Sequence, residues 1–309
     1  MAGERVHTEV GGRSLTLSNL TKPLFADGFT KGEVIDYYLR AAPVLLPHLE
    51  RRCLTRVRFP EGTSGQGFFE KNPPSGAPDW LTTQIVVGST GEVSYVVADS
   101  DAALVYLANL AALELHTPQW QIPDPGVPVV LDGPDEPLAD RLMVDLDPGE
   151  GVTMQQTALA ALTVAAHLAS DALVTLVKTS GNKGLQLVAP ISPTPCSTVF
   201  AFAKRLAAEL ATAQPALFTD TMAIVARKGL VFVDYSQNLA ARNTVTPYSL
   251  RGLASPGVST PVTWDEVADA ANGTPLRFTP ADVLDRIARH GDLWAEALAP
   301  SSQALRAQP

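Results

Sequence analysis

Asp145 and Asp147 stand one residue apart in the run RLMVDLDPGEG, Arg141 to Gly151. In an extended chain successive side chains alternate faces. The two carboxylates then share one face, and Leu146 takes the other. Carboxylates that close repel each other unless a cation lies between them, and a divalent metal is the natural occupant. Asp-Pro-Gly is also ordinary turn chemistry, so this pair alone also fits a strand simply running into a turn. Asp234 lies near the end of a second apolar segment, GLVFVDYS. If that strand neighbours the first, three carboxylates converge on one sheet face. Three carboxylates holding two metal ions are the apparatus of in-line phosphoryl transfer. Read singly, Asp234 is a strand-end residue.

A second group of residues suits an anion. Ser180-Gly181-Asn182-Lys183-Gly184 joins two apolar runs. Its glycines let backbone N–H groups point at a phosphate, Lys183 adds charge, and Ser180 can donate. No Gly-Lys-Ser/Thr follows a four-residue spacer, so this is not a P-loop; a plain hairpin with a solvated lysine has the same wording. Arg56, Arg58 and Lys71 flank Phe68 and Phe69, and such interleaving suits stacking on bases beside phosphate contacts. It equally describes two core phenylalanines beside solvated charges. His116, before Thr117-Pro118, reads by itself as a cap or packed side chain, and Lys22 and Lys31 as loop lysines.

The elements that must position these residues alternate without a strict βαβ rhythm. VHTEVGGRSLTLSN predicts a hairpin turning at Gly11-Gly12. Thr30 with Glu33 is a capping box opening a helix to about Leu46. A strand CLTRVRF precedes a Gly- and Pro-rich loop that holds Phe68, Phe69 and Lys71. Two more strands are expected at TTQIVVG and VSYVVA, then a helix capped by Asp99 or Ser100 that runs to about Leu115. Thr117 to Pro137 reads as a connecting loop, which places a module boundary near 136. Next come the RLMVDLD strand, a helix from about Thr153 to Ser170, strands LVTLVKT and LQLVAPI, a helix begun by Thr194-Pro195, and the GLVFVDYS strand. Thr263 with Glu266 and Thr279-Pro280 open the last helices, the final one ending before Gly291. The pattern predicts an α+β fold rather than a doubly wound sheet.

Composition narrows the function. The chain has 309 residues, 46% hydrophobic and 18% charged, with a formal net charge of -9. That acidity argues against indiscriminate polyanion binding but leaves room for a local basic groove. Cys53 and Cys196 are the only cysteines, so there is no disulfide framework or cysteine zinc site, and two free thiols suit a reducing cytoplasm. MAGERVHTEVGG has no apolar core segment, so no signal peptide is expected. The apolar span Thr157 to Val177 contains His167 and Asp171, and reads as a buried helix and strand, not a membrane span.

The order and wording of these blocks resemble the polymerase domain of bacterial DNA ligase D, in the archaeo-eukaryotic primase superfamily. The resemblance runs through YYLRAAPVLLPHL, TRVRFPEG, FFEKN, DWL, LANLAALELHTPQW, MVDLDPGEGVT, KTSGNKG, VFVDYSQN and TVTPYSLRG. It implies a mixed catalytic β-sheet of the primase-polymerase type with packed helices, and an N-terminal α/β module, about 1–136, before a catalytic module, about 137–309. It implies that Asp145, Asp147 and Asp234 bind metal, two Mn²⁺ or Mg²⁺ ions. Ser180 and Lys183 match holders of the triphosphate, and His116, Gln237 and Arg251 match further members of the nucleotide pocket. Phe68 and Phe69 match aromatics at template and nucleotide, with Arg58 and Lys71 beside them on the DNA side. Lys22 and Lys31 match lysines for the 5′-phosphate across a gap.

The implied activity is template-dependent nucleotidyl transfer that fills short gaps in DNA repair, with a preference for ribonucleotides. Primed or gapped DNA, nucleoside triphosphates and a separate DNA ligase are the implied partners. A primase starting chains de novo, a non-catalytic DNA-end binder and an Asp-X-Asp glycosyltransferase are the rivals. Nothing resembles a nuclease or ligase module, so a stand-alone polymerase domain is expected. Two positions depart from the family pattern. Gln186 stands where the family commonly has histidine; it keeps a donor but never charges, so weaker nucleotide binding is expected, regained by Gln186→His at mildly acidic pH. VVGSTGEVSYV, the counterpart of the end-bridging loop, has Glu92 and no Lys or Arg.

Overall fold

In the computed structural model, which describes residues 5–306, the chain opens with the expected hairpin: β1 (Arg5–Val10) and β2 (Arg13–Ser18) pair antiparallel. Gly11 and Gly12 both take positive φ, 54° and 74°, the conformation a two-residue hairpin turn demands. Helix α1 (Lys31–Leu49) starts at the Thr30–Glu33 capping box and passes the expected Leu46 through Pro43 and Pro47. Its apolar face, Val34, Tyr37, Tyr38, Ala41, Leu45 and Leu49, is fully buried. Strands β3 (Thr55–Arg58) and β4 (Phe68–Glu70) follow, then β5 (Thr83–Gly88) and β6 (Gly91–Val96). Phe68 and Phe69 therefore lie on a short strand, not in a loop; pairing with β3 makes it one.

Helix α2 (Asp101–Asn109), capped by Ser100, ends earlier than its alanine- and leucine-rich sequence predicts. The Leu110 N–H closes the last turn, and Ala111 adopts φ 59°. The chain then re-emerges as strand β7 (Ala112–Thr117), paired with β3. Non-local pairing overrides local helix propensity here. The loop 118–137 includes the short strand β8 (Val129–Val130), parallel to β5.

The second half supplies β9 (Leu138–Pro148), α3 (Met154–Ser170), β10 (Leu176–Thr179), β11 (Leu185–Pro195), α4 (Cys196–Ala213), β12 (Phe218–Thr219) and β13 (Val231–Asp234). Short strands β14 (Thr244–Val245), β15 (Leu250–Arg251), β16 (Gly257–Val258) and β17 (Pro261–Val262) precede α5 (Trp264–Ala271) and α6 (Pro280–His290).

The central sheet has the order β12-β13-β9-β11-β10-β17, antiparallel except for β12 with β13. With the packed helices it gives the mixed α+β architecture expected. One face carries Leu142, Val144, Leu146, Leu185, Leu187, Val231 and Val233 into a core shared with α3 and α4. Alternation sends Met143, Asp145 and Asp147 to the other face, where Met143 packs with Val188 and Trp294. A second sheet, β14-β7-β3-β4, is completed by β14 from the second half. Tyr248, Leu250 and Val258 likewise join the core around α1 and α2, so the chain returns across position 136 to close the N-terminal layer. No helix among the described residues is long and apolar enough to cross a membrane.

Candidate active site

The acidic trio assembles because β13 pairs directly with β9, placing Asp234 opposite Asp145. Oxygens of Asp145, Asp147 and Asp234 lie within 4.8 Å of one another. The turn Tyr235–Asn238 fixes the third carboxylate: Asp234 accepts from the Ser236 N–H at 3.0 Å, the Ser236 hydroxyl at 2.6 Å and the Gln237 amide at 2.7 Å. Asn238 pins this turn to β9, exchanging two hydrogen bonds with the Met143 backbone at 2.9 and 2.8 Å.

Burial, then the charge of Asp147, pushes the Asp145 carboxyl up to about 8. Asp147 is raised too, by burial and by Asp234. One oxygen of Asp145 is buried with no hydrogen-bond partner. Repelling carboxylates with an unsatisfied buried oxygen are a donor set suited to a hard divalent cation, and the trio fits one.

Opposite the trio stands the β10–β11 turn. The Ser180 N–H bonds the Gly184 carbonyl at 2.9 Å, and the Ser180 hydroxyl oxygen accepts from the Gly184 N–H at 3.1 Å. Gly181 has φ 75°, and a side chain there would meet Arg251 Cγ at 2.6 Å and the Ser259 nitrogen at 2.8 Å. Arg251 closes the turn from behind by donating to the Ser180 carbonyl at 2.6 Å.

The third wall is β7. Glu114 and His116 share a face, and His116 Nε2 lies 2.9 Å from Glu114 Oε2. The other oxygen of Glu114 accepts from the Gly252 N–H at 2.9 Å and faces Arg251 Nε at 3.2 Å. Burial raises the Glu114 carboxyl, but His116 and Arg251 outweigh it and hold it down at about 2. Burial lowers His116 despite Glu114, with Arg251 and Lys178 adding to the effect. Glu114 is thus an anion throughout the neutral range and His116 a neutral imidazole. Helical reading of the segment to Leu115 hid Glu114; once Ala112–Thr117 is a strand, Glu-X-His places both on one face.

His116, Asp145, Asp147, Ser180, Lys183, Gln186, Gln237 and Arg251 line one cavity of about 750 Å³. The residues expected to meet metal and nucleotide are therefore brought together, with Asp234 completing the trio. Asn243, Arg227 and the exposed Ile224 and Val225 also line it, and no motif in the sequence singled them out. Fully buried Lys178 was missed as well; its Nζ donates to Gln186 and, at 2.6 Å, to Ser259.

The residues expected to touch DNA lie around this cavity rather than in it. Phe69 is 72% exposed on β4, its ring centroid 6.1 Å from that of His116. Phe68 lies beneath the Arg58 guanidinium, 5.5 Å away, and Arg58 is itself paired with Glu70 at 3.0 Å. The Lys71 ammonium sits 5.5 Å from the Tyr95 ring. Lys22 and Lys31 are neighbours through a backbone bond of 2.9 Å. Lys22 donates to the Pro60 carbonyl at 2.6 Å and meets Glu61 at 3.2 Å, while nearly buried Lys31 donates to the Ser18 carbonyl at 2.7 Å.

Known proteins resemble this chain. A multifunctional non-homologous end joining DNA repair protein LigD of Mycobacterium tuberculosis is 45% identical over 283 residues, covering 90% of this chain and 36% of that protein. The bifunctional LigD of Bacillus subtilis is 31% identical over 280 residues, again 90% of this chain and 43% of the relative. The chain thus spans well under half the length of these curated relatives. It covers 99% of the solved polymerase domain from Mycobacterium tuberculosis ligase D in complex with DNA, with 93% of this chain matched, a TM-score of 0.85 and 42% identity. The family model described as LigD, primase-polymerase domain, matches residues 30–294, and the chain belongs to that family.

Proposed function

We propose that this chain is a template-directed nucleotidyltransferase of the primase type that fills short gaps in DNA during end-joining repair. The observation that carries the reading is one cavity in which the acidic trio faces the Ser180–Lys183 turn. A glycosyltransferase using Asp-X-Asp accounts for neither Asp234 nor that turn.

Asp145, Asp147 and Asp234 would hold two divalent ions, Mn²⁺ or Mg²⁺. Such ions, when bound, neutralise charge on the reacting phosphate and make a primer 3′-hydroxyl more acidic. The chain's own residues position and neutralise. Gln237 and Ser236 hold the Asp234 carboxylate in one orientation. Lys183 supplies charge to a triphosphate, and Arg251, anchored on Ser180 and Glu114, keeps that turn in place. An ionised Glu114 only accepts, so His116 Nε2 carries the proton and Nδ1 of the neutral ring remains as an acceptor. Exposed Phe69 offers a face on which a base can stack. Catalysis of this kind is orientation and preorganised charge.

The proposed substrates are nucleoside triphosphates, ribonucleotides preferred, and gapped or primed DNA with a 5′-phosphate. The solved mycobacterial domain is in complex with DNA, which supports the DNA partner. A separate DNA ligase would seal the product, in the cytoplasm, a compartment that suits the two buried free thiols. The test is primer extension on gapped DNA with Mn²⁺: the unaltered protein extends and Asp145→Ala does not. Extension by Asp145→Ala at a similar rate would remove the reading.

A further inference from the structure

One transverse row crosses four adjacent strands of the central sheet: Lys178 on β10 pairs with Gln186 on β11, Gln186 with Asp145 on β9, and Asp145 with Asp234 on β13. Paired residues project to the same face, so these side chains form one polar line beneath the cavity. Lys178 sits at its inner end, fully buried, with its Nζ 5.7 Å from the Trp294 ring centroid. Its Nζ donates to Gln186 Oε1 and to the Ser259 hydroxyl. Ser259 spends its own proton on the Thr179 carbonyl at 3.0 Å, so toward Lys178 it can only accept.

A primary amine has at least two N–H groups whatever its charge. Both partners are thus satisfied as acceptors without reference to protonation. A glutamine whose carbonyl is held in this way has its NH₂ turned the opposite way. Here that direction runs along the row toward Asp145 and the cavity that Gln186 lines.

Resting on the nucleotidyltransferase reading, we propose that Lys178 is a positioning residue: it locks the Gln186 amide so that its N–H groups face Asp145 and the triphosphate. Free to rotate, the amide could present its oxygen instead of its N–H groups to Asp145 and to the triphosphate. Locked, it is a permanent neutral donor beside the acidic trio. A fixed donor lowers the cost of ordering the site when nucleotide enters.

A double-mutant cycle on the full chain tests this, read by the Kd of a fluorescent nucleoside triphosphate and by the KM and kcat of extension. Lys178→Met weakens nucleotide binding about tenfold, the worth of one neutral hydrogen bond, and raises KM with kcat within about twofold. Gln186→Leu does the same. Lys178→Met in the Gln186→Leu background adds nothing, since no amide is left to orient. Equal losses from Lys178→Met in both backgrounds mean a merely structural lysine and overturn the proposal, as does an unchanged Kd in Lys178→Met. If Lys178→Met does not fold, Lys178→Gln, which keeps a donor of similar length, enters the same cycle with a smaller loss expected and the same additivity criterion. An unaltered protein that neither binds triphosphate nor extends primers fails the parent reading, and this role with it; one that does both while the cycle is additive fails this role alone.

Discussion

His116 Nε2 lies 2.9 Å from Glu114 Oε2, two residues earlier on the same strand. The contact sets the ring's tautomer and ties β7 to Arg251, which faces the other Glu114 oxygen. Because the Glu114 carboxyl is held down at about 2 by these partners, against burial, its stabilisation has a defined pH window. It is complete above the unfolded carboxyl value, near 4.3, and lost as pH falls through about 2. Glu114→Gln should therefore lower the melting temperature at pH 7, and the gap between variant and unaltered protein should narrow below pH 4. Thermal melts from pH 7 to pH 3 check this; a constant gap would show that the carboxylate charge is irrelevant.

The trio has the opposite sign. Asp145 is raised to about 8, so its stability contribution is full below the unfolded carboxyl value, near 4, and lost as pH rises through 8. Without divalent metal, Asp145→Asn should be more stable than the unaltered protein at pH 8, by roughly 2–4 °C for each kcal/mol of repulsion relieved. Mn²⁺ should raise the melting temperature of the unaltered protein more than that of the variant, while Asp145→Asn loses extension by at least about 100-fold. A variant less stable at pH 8 without metal would contradict the repulsion argument.

Legibility in the sequence followed the range of the interactions. Asp145 and Asp147 could be assigned to one face because strand alternation is local, and α1 could be placed from its capping box. Their convergence with Asp234 needed β13 beside β9, a non-local pairing that the sequence left conditional. The segment Asp101 to Leu115 is continuous in alanine and leucine, so the break at Ala111 left no Gly or Pro signal. Pairing with β3 and β14 turns its end into a strand, and Glu114 came into view only then. Lys178 was unreadable for the same reason: its partners Gln186 and Ser259 lie 8 and 81 residues away.

Lys22 and Lys31 adjoin, but neither ammonium is free. Lys22 meets Glu61 at 3.2 Å in an exposed pair, which is weak and easily exchanged for a phosphate. Lys31 donates to the Ser18 carbonyl. Binding of gapped DNA should be tighter with a 5′-phosphate than with a 5′-hydroxyl, and Lys22→Ala should remove the preference. Glu61→Gln should widen it about threefold by removing the competing anion. Fluorescence anisotropy with the two gaps decides; equal affinity of the unaltered protein for both ends would dispose of the phosphate role.

The hairpin of β5 and β6 turns tightly, Gly88 pairing with Gly91, and from Thr83 to Val96 it carries Glu92 and no basic residue. Bringing two DNA ends together requires neutralising their repulsion. Short gaps should therefore be filled efficiently, while two overhanging ends are paired weakly. Thr90→Lys/Glu92→Lys should strengthen pairing in a two-fluorophore end-bridging assay, most at low salt. Robust bridging by the unaltered protein at moderate salt would show that another surface does this work.

Gln186→His was expected from sequence to gain nucleotide affinity at mildly acidic pH, through a protonated imidazole. The structure argues otherwise. Gln186 is 4% exposed and its side chain is engaged by Lys178. Burial disfavours the charged imidazole, as it already holds the neighbouring Lys178 well below its ordinary value. Asp145, itself raised to about 8, is largely protonated over most of the range from pH 6 to pH 8 and lends that charge little support, and divalent cations, once held by the trio, would oppose it. The lysine's N–H can still bond one ring nitrogen, leaving the other as a neutral N–H donor toward the cavity. Histidine at this position would then do what the locked amide already does. The nucleotide KM of Gln186→His should stay within about twofold of the unaltered value from pH 6 to pH 8, a difference below about half a kcal/mol. Steady-state extension across that range measures it. A KM that falls severalfold as pH drops to 6 would mean that the ring is charged beside Lys178, and that burial in the row does not exclude a cation.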